Sequence, residues 1–263
     1  MRRRFLTELA SNPDLISGIY NYCDRWCERC PLTSRCLVYM TEQEYADTDT
    51  LAETNDTQNQ KFWIKLGDLL NEAQEMMIEW ALKEGFDLNE PIEEEVDRQK
   101  RKQHADNHPL TRAGKKYAND SADWFSNFDQ LVEFSDQQPT ESETEKAEEV
   151  EDAREVINWY QYQIAVKTMR ALSSLIENRE FEREWAAEGY PKDSDGAAKV
   201  ALIGIDRSIA AWHLMQLNLT DRRESIVPLI LQLERLRLCI ERKFPDARSF
   251  IRPGFDEQFD ETH

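Results

Sequence analysis

Four thiols fall within fourteen residues of this chain: Cys23, Cys27, Cys30 and Cys36, separated by three, two and five residues. Thiolates are soft donors, and four from one short stretch can enclose one metal centre, either tetrahedral zinc or a cubane iron–sulfur cluster. Zinc sites usually join two short C-x-x-C knuckles through a longer spacer. Here one C-x-x-C occurs, Cys27 to Cys30, and Pro31 follows it directly. A single compact loop favours a [4Fe–4S] cluster, with Cys23, Cys27, Cys30 and Cys36 as its ligands and zinc as the alternative. Four thiolates leave no open iron position, which suits electron transfer rather than Lewis-acid catalysis. Trp26 is placed to shield such a centre, and Arg25, Arg29 and Arg35 to offset its negative charge. The competing reading makes Cys23, Cys27 and Cys30 small core residues on a buried helical stripe. Cys239, between Leu238 and Ile240, reads as a buried core thiol.

Residues Cys27 to Cys36 spell C-x-x-C-P-L-x-x-x-C. This resembles the cluster loop of endonuclease III and MutY-type DNA glycosylases. It is also similar to the segment of WhiB-like proteins in which Leu and Tyr follow the last cysteine, as Leu37 and Tyr39 do here. The resemblance covers about a dozen residues and implies a [4Fe–4S] centre. It does not extend to DNA repair, because the chain has no helix-hairpin-helix glycine pattern and is acidic. The C-x-x-x-C-x-x-C portion also matches the radical-SAM signature, without the glycine-rich contacts or the barrel of that family.

The elements that must hold these cysteines read as helices. Only 8 Gly and 9 Pro punctuate 263 residues, which favours long helices over a many-turned β fold. Ile16, Ile19, Tyr20, Cys23, Cys27 and Cys30 recur at helical spacing, which predicts a helix from Asp14 to Cys30 ended by Pro31. A short helix is expected over Ser34–Tyr45, and a polar linker over Asp47–Asn59. Gln60–Glu84 is strongly amphipathic through Phe62, Leu66, Leu69, Met76, Met77, Trp80 and Leu82, with Gly85 as its stop. Pro91 opens a further helix, and His108-Pro109 breaks the pattern.

Thr111–Phe134 is again helix-like, and Ser135–Glu145 reads as an acidic loop. The longest helical pattern runs from Glu145 to about Ala187. Asp193–Leu217 is rich in small and apolar residues and suits a helix deep between others. A last helix, capped by Thr220 or Asp221 and kinked by Pro228, reaches Phe244. The tail after Pro245 either packs across the bundle or stays free. The expected architecture is an all-α, up-and-down helical bundle (60–245) with a small cysteine-rich metal module (1–46) and a tail (246–263).

Other polar groups invite a site. Asp206 lies in the apolar run Leu202–His213, and His213 shares its face. Lys167 and Arg170 interrupt the apolar side of the preceding helix. Together Lys167, Arg170, Asp206 and His213 outline a polar pocket between helices, or else an ion-pair network that fixes their register. Glu72, Glu75, Glu79, Glu148, Glu151 and Glu155 suggest a dinuclear carboxylate site, but no Glu-x-x-His occurs, so solvated faces are expected. The basic stretch Arg98–Lys116 reads as a phosphate-binding stripe or, preferably, as the partner of the acidic residues Glu141–Glu155 or of another acidic surface, within or between chains. The tryptophans read as core anchors.

The net charge of -19 repels phosphate backbones and anionic membranes, which argues against nucleic acid as the main partner. No apolar run approaches the roughly 18 to 20 residues of a membrane span. Phe5-Leu6-Thr7-Glu8-Leu9 lacks the apolar core of an export signal, so a cytoplasmic protein with reduced thiols is expected. These readings converge on a redox or electron-transfer protein whose redox partner no residue names. The alternatives are a zinc-stabilised interaction module, and an enzyme with its pocket around Asp206.

Overall fold

The computed structural model describes residues 9, 12–46, 71, 74–83, 85, 95–129, 141–177 and 192–256. Among the described residues there is no strand; the fold is all-α and packs as a helical bundle. The helices with described bounds are α1 (Leu37–Ala46), α2 (Glu95–Asn107), α3 (Pro109–Asp129), α4 (Glu141–Glu177), α5 (Asp193–Asn218) and α6 (Arg223–Lys243). Two compact units divide the chain, Met1–Ile16 with Arg29–Arg98, and Ser17–Glu28 with Gln99–His263. Residues 17–28 fall in the larger unit.

In the larger unit α5 is central, because its small residues let neighbours close in. Ala197, Ala198, Ala201 and Gly204 are all buried. A Cβ on Gly204 would sit 3.0 Å from the Tyr160 ring and 3.3 Å from Ile164, so α4 and α5 pack with almost nothing between them there. The core joins Ile157, Tyr160 and Ile164 of α4, Leu202, Ile205 and Trp212 of α5, and Leu233, Leu236 and Ile240 of α6. Each such aliphatic side chain contributes about 1.5–3 kcal/mol by leaving water. The buried indole N–H of Trp212 is matched: Nε1 donates to Tyr117 Oη at 2.9 Å.

The break at His108 is where the sequence placed it. Pro109 takes the first helical position of α3, where a missing N–H is harmless. His108 Nδ1 accepts the Leu110 N–H at 3.1 Å, and Thr111 Oγ1 donates to the Ala105 carbonyl at 2.7 Å. Two basic residues that follow pair locally, Lys115 with Asp106 at 2.5 Å and Lys116 with Asp120. The tail packs as far as it is described. Phe250 is buried, and Lys199 Nζ binds its carbonyl at 2.5 Å and Asp256 at 2.8 Å.

Several expectations are corrected. Asp14–Cys30 is not a helix: it holds separate 3-10 turns at Ile19–Asn21 and Cys27–Arg29, because Gly18 (φ 72°) and Arg25 (φ 59°) take left-handed geometry that stops helical propagation. α4 begins at Glu141, inside the expected loop. Cys239 is exposed rather than buried.

In the smaller unit the 3-10 turn Thr33–Arg35 leads into α1. Ile16 N–H donates to the Arg35 carbonyl, and Arg35 Nε to the Asp14 carbonyl, both at 3.0 Å. Residues 74–83 are helical, and Gly85 follows them at φ 81°. Of the apolar residues expected on the Gln60–Glu84 helix, Met77 is 70% and Trp80 58% exposed, while residues 60–70 lie outside the described residues. The linker 47–59, the opening of the Pro91 helix and residues 178–191 lie outside the described residues.

Candidate functional site

An irregular segment leaves its backbone carbonyls without helical partners, and buried carbonyls must be satisfied somehow. Around Cys23 the bundle supplies the donors. Trp159 Nε1 and Gln163 Nε2 both donate to the Asp24 carbonyl, at 3.0 and 2.6 Å. Lys167 Nζ donates to the Cys23 carbonyl at 3.2 Å. Arg170 Nη1 donates to the Asn21 carbonyl at 3.2 Å. The four donors rise along one side of α4 as the segment descends, so residues 21–24 run as a track against that helix.

The Asp24 side chain fastens the same track. Its carboxylate accepts Tyr160 Oη–H at 2.5 Å and Arg207 Nη1–H at 2.7 Å, and Arg207 also donates to the Tyr160 oxygen. The other carboxylate oxygen accepts the Trp26 N–H at 3.2 Å, a local turn that spans the left-handed Arg25. Trp26 is thereby turned inward. It stacks on Trp159 with ring centroids 5.0 Å apart and meets Tyr160 edge-on at 5.9 Å. A second anchor lies beside it: Asp193 accepts from Arg170 at 2.6 Å and from Ser174 at 2.7 Å.

Burial and charge follow from this packing. Burial pushes the Tyr160 phenol well above its ordinary pKa, and the Asp24 carboxylate adds to the effect. Burial raises the Cys23 thiol, opposed by the Arg25 backbone N–H and by the Lys167 ammonium. Lys167 is itself lowered, by burial first and then by Arg170. Tyr22 is pushed up to about 12 by burial and by Asp193.

The thiols Cys23, Cys27, Cys30 and Cys36 are all half-buried. Cys27 opens a 3-10 turn, and Cys36 caps the next one while its carbonyl accepts the Met40 N–H of α1 at 3.0 Å. Lys167 and Arg25 lie close enough to Cys23 to favour its thiolate. Among the described residues no group of three or more His, Cys, Asp or Glu side chains is arranged to hold a metal ion. The four-thiolate assignment therefore rests on number, spacing and half-burial.

No protein-family model, no curated protein and no solved structure matches this chain.

The other expected pocket does not assemble. Asp206 pairs with Arg248 at 2.5 Å and with Arg237 at 3.5 Å, near the surface. His213 is exposed. Lys167 and Arg170 serve the cysteine segment instead. Glu75, Glu79, Glu148, Glu151 and Glu155 are exposed, as solvated faces should be. A groove of about 290 Å³ opens between α3 and α4 over Ala118, Tyr162, Ala165, Val166 and Met169; it shares no residue with either site. No described helix is long and apolar enough to cross a membrane.

Asp24, Trp159, Tyr160, Gln163 and Arg207 were not singled out from the sequence as a set. A signal for part of it existed: Tyr160, Gln163, Lys167 and Arg170 repeat at three- and four-residue spacing, a polar stripe on a largely apolar helix face. Polar donors on a buried face need acceptors, and the nearest irregular backbone supplies them.

Proposed function

We propose that the cysteine segment holds a thiolate-bound [4Fe–4S] centre and that the protein works in electron transfer or redox sensing. Cys23, Cys27, Cys30 and Cys36 would be its ligands. The observation that supports this most is the fastening of Asn21–Asp24 along α4: a rigid bundle spends four side-chain donors and a buried tryptophan on positioning the backbone beside the first thiol. Such investment suits a site whose ligands must be held in place, more than a stretch of filler. A four-thiolate cluster supplies one-electron exchange without an open metal position. The chain's own groups would do the rest. Trp26 and Trp159 exclude water from one side, Arg25 and Lys167 offset negative charge on the thiolates, and Asp24 fixes the turn between Cys23 and Cys27.

The test is anaerobic purification followed by visible absorption and metal analysis, with Cys30→Ser beside the wild type. A broad band near about 400 nm, with iron and sulfide that the variant loses, is the expected result. Stoichiometric zinc without colour would replace the redox reading with a zinc-stapled interaction module. Absence of any metal would return the four thiols to a packing role.

A further inference from the structure

We propose that α6 is a self-association face, pairing antiparallel with α6 of a second copy of this chain. The buried side of α6 is accounted for by Ile226, Leu229, Ile230, Leu233, Leu236 and Ile240. Its opposite side is not polar throughout: Val227 is 39%, Leu231 47% and Leu238 55% exposed. Glu224, Pro228, Leu231, Arg235, Leu238 and Arg242 are all exposed and recur at spacings of four, three, four, three and four. That alternation keeps them on one seam, the spacing by which two helices mesh side chains.

The charges on this seam select one partner and one direction. The six positions are symmetric about Leu233, so an antiparallel two-fold centred there sets each against a counterpart. Glu224 then faces Arg242 of the second copy, and the same pair repeats at the other end. Leu238 meets Pro228, with Val227 beside it. Leu231 lies on the aliphatic stem of Arg235, whose charged head stays in water. A parallel, in-register pair would instead set Glu224 on Glu224, Arg235 on Arg235 and Arg242 on Arg242, which repel. Two-fold self-complementarity of this kind is what an isologous interface requires. The helix has 21 residues and is about 30 Å long, enough for the whole seam to be in contact.

The test is sedimentation equilibrium of the full chain from about 1 to 100 μM under reducing conditions, a range that brackets a single-helix interface. A reversible dimer is expected. The double variant Leu231→Asp with Leu238→Asp should weaken it about a hundredfold or more, with an unchanged circular dichroism spectrum, because both residues are already exposed. Glu224→Arg and Arg242→Glu should each weaken the dimer several-fold, and the two together should recover most of the loss. A monomer across the whole range overturns the proposal. So does a dimer indifferent to the leucine changes, which would place the interface elsewhere. A charge swap that fails to recover affinity overturns the antiparallel register.

Discussion

Tyr160 on α4 donates its phenolic proton to Asp24, a residue 136 positions earlier, at 2.5 Å, and Arg207 on α5 closes the triangle by donating to both. Removing the phenolic oxygen leaves the half-buried carboxylate with a poorer shell. Tyr160→Phe is expected to destabilise the fold by about 1–3 kcal/mol, since a polar group loses its partner while the ring stays in place. Urea unfolding of the two proteins measures it; equal midpoints would mean the triangle contributes nothing.

Trp26 carries the apolar half of the same attachment. It is 5% exposed and packed on Trp159 and Tyr160. Trp26→Ala is expected to cost about 3–5 kcal/mol, the range for emptying a buried aromatic site. Protease sensitivity around residues 17–28 should rise before the bundle itself unfolds, because the donors on α4 remain while the anchor is gone. Simultaneous loss of protection everywhere would show that the segment and bundle unfold as one.

Gly196 sits beneath the Tyr22 ring near the start of α5, and a Cβ there would fall inside contact distance of both the Tyr22 and Phe250 rings. Those rings meet edge-on with centroids 4.7 Å apart, so neither can retreat without opening their own contact. Gly196→Ala should therefore destabilise by about 1–3 kcal/mol despite the helix preference for alanine. Thermal denaturation reads the sign: stabilisation would mean that the rings yield freely.

The tail should detach in acid. Burial pushes the Asp256 carboxyl up, but hydrogen bonds from Arg252 and Lys199 outweigh it and hold the group well below the usual carboxylate range. A group whose folded pKa is depressed stabilises the fold fully above its unfolded value of about 3.9, and the contribution fades as pH falls toward the folded value. Protection of the amides of residues 250–256, measured as exchange relative to the intrinsic rate at each pH, is expected to be high at neutral pH and to fall below about pH 4. In Asp256→Asn the protection should be low already and lose that dependence. A wild-type profile flat through this window would remove the ion pair from the account.

Helical periodicity, read from the chain alone, located the bundle. The break at His108-Pro109 and the deep placement of α5 are local consequences of spacing and of small side chains, and local rules state them. The same rule misread Asp14–Cys30. Cysteines three and four apart imitate a helix face, but the left-handed turns at Gly18 and Arg25 interrupt it. Asp24 can satisfy the Trp26 N–H locally, whereas its other partners come from α4 and α5.

Partners distant in sequence escaped in the same way. Asp206 was matched to Lys167 and Arg170 on the preceding helix, yet its guanidinium comes from Arg248, 42 residues on, in the turn beyond α6. Cys239 was placed inside by its apolar neighbours Leu238 and Ile240, although of these two only Ile240 is buried. The sequence by itself determined an acidic, all-α chain and the four thiols available to a metal, because composition, period and donor chemistry are local properties. Only the tertiary structure decided which carbonyls Lys167 and Arg170 satisfy, which face of α6 remains in water and how Asp24 fastens the cysteine segment, because those contacts join residues that spacing along the chain does not relate.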